Sequence, residues 1–126
     1  MRALTVNEAI MQTDALLKNN PITQEIKLSW LTALDHYLYT DVILTHEGGD
    51  EVTFTPYEDG IDSELLVPSP YDSLYVEYLK MKVFYETHEY TRYNNSMSVF
   101  NKMLSAWRGA YHSSHLPKAE RGMRYM

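Results

Sequence analysis

The chain carries five histidines, and each stands beside residues that invite a chemical reading. His112 and His115 are three residues apart, a step that sets two imidazoles on one helical face, as a metal pair needs. No carboxylate stands at a matching step nearby, so the pair reads as a helix end with two exposed rings, whose charged form suits the C-terminal dipole. His46-Glu47 and Glu86-Thr87-His88-Glu89 place acid beside imidazole, the makings of a general acid–base pair. Neither is accompanied by a nucleophile or a phosphate-binding loop. Asp35-His36 is a dipeptide found in metal phosphohydrolases, but those enzymes draw further histidines and aspartates from several helices, which the other segments here do not supply. The expectation is therefore no catalytic residue, no cofactor and no metal.

Residues 45 to 68 hold seven acids, Glu47, Asp50, Glu51, Glu58, Asp59, Asp62 and Glu64, and no Lys or Arg. A calcium loop needs oxygens at regular spacing around a sharp glycine turn, and these do not fit it. They read as a solvated, like-charged loop. The many tyrosines could stack nucleic-acid bases, but no basic residues interleave them, so packing is their expected role. Asn94-Asn95-Ser96 matches a glycosylation acceptor and lies within an expected helix, where it is given no weight. A Gly-rich phosphate loop and a Gly-x-Ser-x-Gly elbow are both missing from the sequence.

The elements that must position these residues come from spacing. With 126 residues the chain is the size of one domain and long enough to build a core. It has no cysteine, which excludes disulfides and thiolate metal sites and favours an intracellular origin. No apolar run approaches the roughly 20 residues of a bilayer span, and the first eight residues lack the apolar core of a secretory signal. The net charge of −6 argues against sequence-independent binding of duplex nucleic acid, and no sequence-specific binding is expected either.

Tyr90, Tyr93, Met97, Phe100, Leu104, Trp107 and Tyr111 recur in steps of three and four, one stripe of a helix that is taken as the centre of the fold. Upstream, Thr5-Val6-Asn7-Glu8 has the form of a capping box and opens a first helix on Val6, Ile10 and Leu17. Asn20 as cap and Pro21 as first residue predict a second helix to about Leu44, with Ile26, Trp30, Leu34, Tyr37 and Leu38 as its core stripe and Gly48-Gly49 as its stop. Val52-Thr53-Phe54-Thr55 alternates like a short strand, and Leu65-Leu66-Val67 could return against it as a two-stranded ribbon. Ser69-Pro70 predicts the start of a third helix striped by Tyr71, Leu74, Tyr75, Tyr78, Met81 and Tyr85 and widened by Val76, Leu79 and Val83. Thr87-His88-Glu89 is a brief break, so the last two helices form an antiparallel pair. The fold class is mainly α: a small bundle of about four helices with a two-stranded ribbon or extended loop between the second and third. Residues 1–115 make the single domain, and 116–126 are expected to be a flexible basic tail.

Three segments together resemble a known family. They are Glu47-Gly48-Gly49-Asp50 leading to Phe54-Thr55-Pro56-Tyr57-Glu58-Asp59-Gly60; Glu64 to Tyr71; and Arg92-Tyr93-Asn94-Asn95-Ser96-Met97 with Phe100-Asn101. Their order is similar to that of head–tail connector (adaptor) proteins of phages and prophages of Gram-positive bacteria, over roughly residues 5 to 115. The resemblance implies a structural virion protein that is not an enzyme. It would be monomeric in isolation until it meets the portal, then form a ring, typically of about a dozen copies. Located in the host cytoplasm during assembly and then in the virion, it would extend the DNA channel and dock tail-completion proteins. On this reading Val52, Phe54 and Tyr57 are a ribbon that touches a neighbouring subunit, and Glu58, Asp59 and Asp62 face the channel and repel DNA phosphate. The alternative is a small acidic helical binding module or regulator encoded by a prophage. A third reading is a hydrolase using His36 and Asp35.

Overall fold

The computed structural model describes residues 3–118, which form four α-helices. Helix α1 spans Val6–Leu16. Thr5 caps it as expected: its hydroxyl accepts from the Glu8 amide at 3.2 Å, and the Glu8 carboxylate accepts from the Thr5 amide at 3.0 Å. Helix α2 spans Gln24–Leu38 and is capped by Thr23, three residues later than Asn20 and Pro21 predict. Asn20 closes α1 instead. Its side-chain amide donates to the Leu17 carbonyl at 2.8 Å while its oxygen accepts from the Ile22 amide at 3.1 Å.

At its end α2 widens into a π-turn, Tyr39–Ile43, in which the Leu44 amide donates to the Tyr39 carbonyl five residues back at 2.9 Å. The wider turn lets two consecutive residues, Val42 and Ile43, both reach the core. Gly48, at φ 86°, and Gly49, packed on the Ile43 carbonyl, then reverse the chain.

Helix α3, Leu74–Glu86, is the centre of the molecule. Leu74, Tyr75, Val76, Leu79, Met81, Val83 and Phe84 are buried, because α1, α2 and α4 all pack on it. It starts later than Ser69 predicts. Overlapping turns run through Pro68–Ser73, and Ser69-Pro70 is a cis peptide. Helix α4, Tyr90–Ser114, lies antiparallel to α3. The contacts Tyr85–Tyr93 (5.4 Å), Tyr78–Phe100 (5.3 Å) and Ser73–Met103 (4.0 Å) descend α3 as they ascend α4.

The stripe of α4 is therefore a lid on the core and not its axis. Phe100 and Trp107 are buried, while Tyr93, Met97, Leu104 and Tyr111 are half-buried. Tyr90 is 50% exposed, since α3 ends beside it, and the rings of Tyr85 and His88 pack against its own. Trp30 on α2 is half-buried under the Lys82 ammonium, 5.4 Å from the ring centre. Two more residues expected in the α2 stripe are also at the surface. Ile26 lies in the first turn, and the Tyr37 ring faces the Arg108 guanidinium, which also pairs with Asp41 at 3.2 Å.

Between α2 and α3 the chain is an extended loop, and no two-stranded ribbon forms among the described residues. Val52–Thr55 makes no ladder with Leu65–Val67. Residues 63–65 pair instead with the segment entering α1: the Leu65 amide donates to the Leu4 carbonyl at 2.9 Å and the Val6 amide to the Ser63 carbonyl at 2.8 Å. Of the tail, Leu116–Lys118 is tied down. The Glu47 amide donates to the Leu116 carbonyl at 2.7 Å, the Lys118 amide to the Thr45 carbonyl at 2.8 Å, and the Lys118 ammonium pairs with Asp50 at 2.8 Å. The rest of the expected flexible tail, 119–126, lies outside the described residues.

Candidate functional site

Three groups of polar residues stand out once the helices are placed. The first is buried. Asp35 is fully enclosed on α2, and its carboxylate accepts from the Tyr75 hydroxyl at 2.6 Å, the Leu66 amide at 3.1 Å and the Tyr57 hydroxyl. Tyr75 in turn accepts from the Val67 amide at 2.8 Å. Burial pushes the Asp35 pKa above its ordinary value, against the three hydrogen bonds that pull it down. Burial and the neighbouring carboxylate raise both phenols as well, so both stay protonated as donors. The group ties the extended loop to α2 and α3.

His36 does not join it. Adjacent residues on a helix point about 100° apart, so His36 is exposed and packs against Phe54, 5.9 Å between ring centres. The Asp-His dipeptide is thus split between core and surface. Phe54 also touches Tyr39 and Tyr57, and Val52 packs on the core with its carbonyl accepting from the Tyr39 hydroxyl at 2.9 Å. Val52, Phe54 and Tyr57 thus make contacts within the chain, to Tyr39, Asp35 and the α2 face, and each stays partly exposed. Together with Leu28, Thr32 and His36, Phe54 and Tyr57 line an open groove of about 460 Å³.

The second group gathers histidines from distant parts of the chain. His46 Nε2 lies 3.3 Å from His112 Nδ1, and His46 packs edge-on to Tyr111 at 5.2 Å. His115 stacks on the Tyr111 ring at 4.0 Å and binds back to the Tyr111 carbonyl. The two rings read as an exposed helix end part ways: His112 turns to His46, while His115 closes the helix end. His88 bonds the Tyr90 hydroxyl at 2.9 Å, and Glu89 is taken up by Thr87 and Arg92. Among the described residues no group of three or more His, Cys, Asp or Glu is placed to hold a metal.

The third group is the acids. Glu58 and Asp59 sit exposed on the turn closed by Gly60, at φ 87°. Asp62 is different: it accepts from the Asn7 amide at 3.0 Å, satisfying a free donor at the start of α1. Sequence reading missed this role and the Asp35 group alike, since neither partner is near in the chain. From Asp41 to Glu64 there are eight acids and no Lys or Arg, whereas from Tyr90 to Lys118 there are four Lys or Arg and no acid.

No helix among the described residues is long and apolar enough to cross a membrane. The chain matches no protein-family model, no curated protein and no solved structure.

Proposed function

We propose that the protein is a structural subunit of a phage or prophage head–tail connector, assembling as a ring beneath the portal and docking tail-completion proteins. The reading begins from the resemblance of the 47–60, 64–71 and 92–101 segments, and one observation carries it further: the stretch from Asp41 to Glu64 keeps a surplus of acids after Asp41 and Asp50 have paired with Arg108 and Lys118 of the same chain. Glu47, Glu51, Glu58 and Asp59 are exposed on the α2–α3 connection with no ion pair among the described residues, while Lys102 is exposed on the acid-free α4. A ring subunit meets its neighbours through two different patches, and unpaired acids on one suit cations on the neighbour, which favours head-to-tail docking over a closed pair.

The resemblance placed Val52, Phe54 and Tyr57 at the subunit contact, and these now have partners in their own chain. Asn94 and Asn95 are better suited. They belong to the most distinctive part of the resemblance, lie exposed on α4, and make no side-chain hydrogen bond among the described residues. Asn is a poor helix former, so two in an exposed helix suit a contact surface better than a free one. Of the channel acids, Glu58 and Asp59 remain free to face DNA, whereas Asp62 is engaged with α1.

Electron microscopy of the protein mixed with its portal protein tests the reading. A ring stacked on the portal supports it. A stable monomer or dimer that ignores the portal and binds one host protein tightly would replace it with the acidic regulator.

A further inference from the structure

We infer a two-histidine site for a divalent transition metal between His46 and His112, joining the end of the π-turn to the C-terminal end of α4. His46 Nε2 and His112 Nδ1 are 3.3 Å apart. Two nitrogens bound to one tetrahedral ion at about 2.0–2.1 Å are separated by about 3.3–3.4 Å. The rings therefore already stand at the spacing the ion needs.

The orientation of His46 supports the assignment. Its Nδ1 is 2.7 Å from the Val42 carbonyl, so Nδ1–H is the donor and Nε2 carries the lone pair. A ligating histidine commonly has its other nitrogen held by a backbone carbonyl in this way, which fixes tautomer and direction. The π-turn supplies that carbonyl, and the Tyr111 edge holds the His46 ring from the other side. Without metal, His112 Nδ1–H donates to His46 Nε2. With metal, His112 takes the Nε2–H tautomer, and its exposure gives that proton access to water.

The ligand set names the ion class. Two imidazoles suit Cu²⁺, Ni²⁺ or Zn²⁺ and do not suit Mg²⁺ or Ca²⁺, which take oxygen ligands. Water or a donor from a docked protein would complete the shell. The bound ion would fasten α4 to the segment that also holds Leu116–Lys118.

Zn²⁺ added to the untagged full chain should raise its thermal midpoint saturably, and Mg²⁺ should not. His46→Ala and His112→Ala should each weaken Zn²⁺ binding by about tenfold or more in calorimetry. His36→Ala and His88→Ala should leave it unchanged. Because His112 is exposed, H112A tests the site without opening the core. Copper bound to the wild type should show two-imidazole hyperfine coupling in electron paramagnetic resonance, reduced to one in H112A. Absence of binding at millimolar Zn²⁺, or Zn²⁺ affinity unchanged in H112A, overturns the assignment; so does loss of binding in His115→Ala with H46A unaffected.

Discussion

Asp35 shows how one buried residue can organise a loop that has no regular structure of its own. Three donors from residues 57, 66 and 75 converge on one carboxylate. Removing the acceptor leaves all three unsatisfied, at about 1–3 kcal/mol for each buried group. Asp35→Ala is therefore expected to cost about 3 kcal/mol or more in urea unfolding, and Tyr57→Phe about 1 kcal/mol. The pH dependence has a definite sign. Because burial raises the folded-state pKa above the ordinary value, the folded protein holds this proton to higher pH than the unfolded chain does. The group's contribution is complete below the unfolded pKa and is lost as pH rises through the folded one. Wild type should gain stability relative to Asp35→Asn as pH falls from 7 toward 4, measured by denaturant midpoints at each pH. An opposite slope would mean that the hydrogen bonds outweigh burial.

At the scale of elements, the two glycines Gly49 and Gly109 separate backbone necessity from tolerance. A Cβ on Gly49 would lie 2.0 Å from the Ile43 carbonyl oxygen, so Gly49→Ala must displace the exit of the π-turn. It should destabilise by about 2 kcal/mol or more, in the range of overpacking and backbone strain. Gly109 lies in α4 with open space around it, and Gly109→Ala should stabilise by about 0.5–1 kcal/mol. Thermal unfolding of the two variants, compared with wild type, reads both signs. On the same helix, Asn94→Ala and Asn95→Ala should each stabilise the monomer by about 0.5 kcal/mol through helix propensity. If the exposed asparagines form an assembly contact, the same substitutions will weaken docking to the portal. More stable variants that assemble normally would remove these residues from the interface.

For the molecule as a whole, the surplus of unpaired acids on the α2–α3 connection is the feature with the widest consequence. Glu58→Lys with Asp59→Lys reverses the exposed turn without touching a hydrogen bond that holds the fold, whereas Asp62 must be left alone because it satisfies the start of α1. The double variant is expected to fold and bind portal but to hinder DNA passage, since reversed charge holds phosphate that the acids repel. Normal packaging and ejection by phage carrying it would sink the channel role while leaving the subunit role open to the microscopy test.

Local chemistry wrote much of the helical plan into the sequence. The Thr5–Glu8 box acts within one turn, the steps of three and four mark helices wherever they fold, and the short break at 87–89 dictates an antiparallel pair. The separation of acids from bases is likewise a property of the chain itself. Tertiary packing decided the rest. It chose α3 over α4 as the centre, because α1, α2 and α4 all pack on α3. It withdrew Tyr90, Ile26 and Tyr37 from the expected stripes, decided between ribbon and extended loop in favour of a loop held by Asp35, and brought His46 to His112 across 66 residues. A helical period specifies which residues share a face, but the partner of that face depends on how several elements fill space together, and no local spacing encodes that.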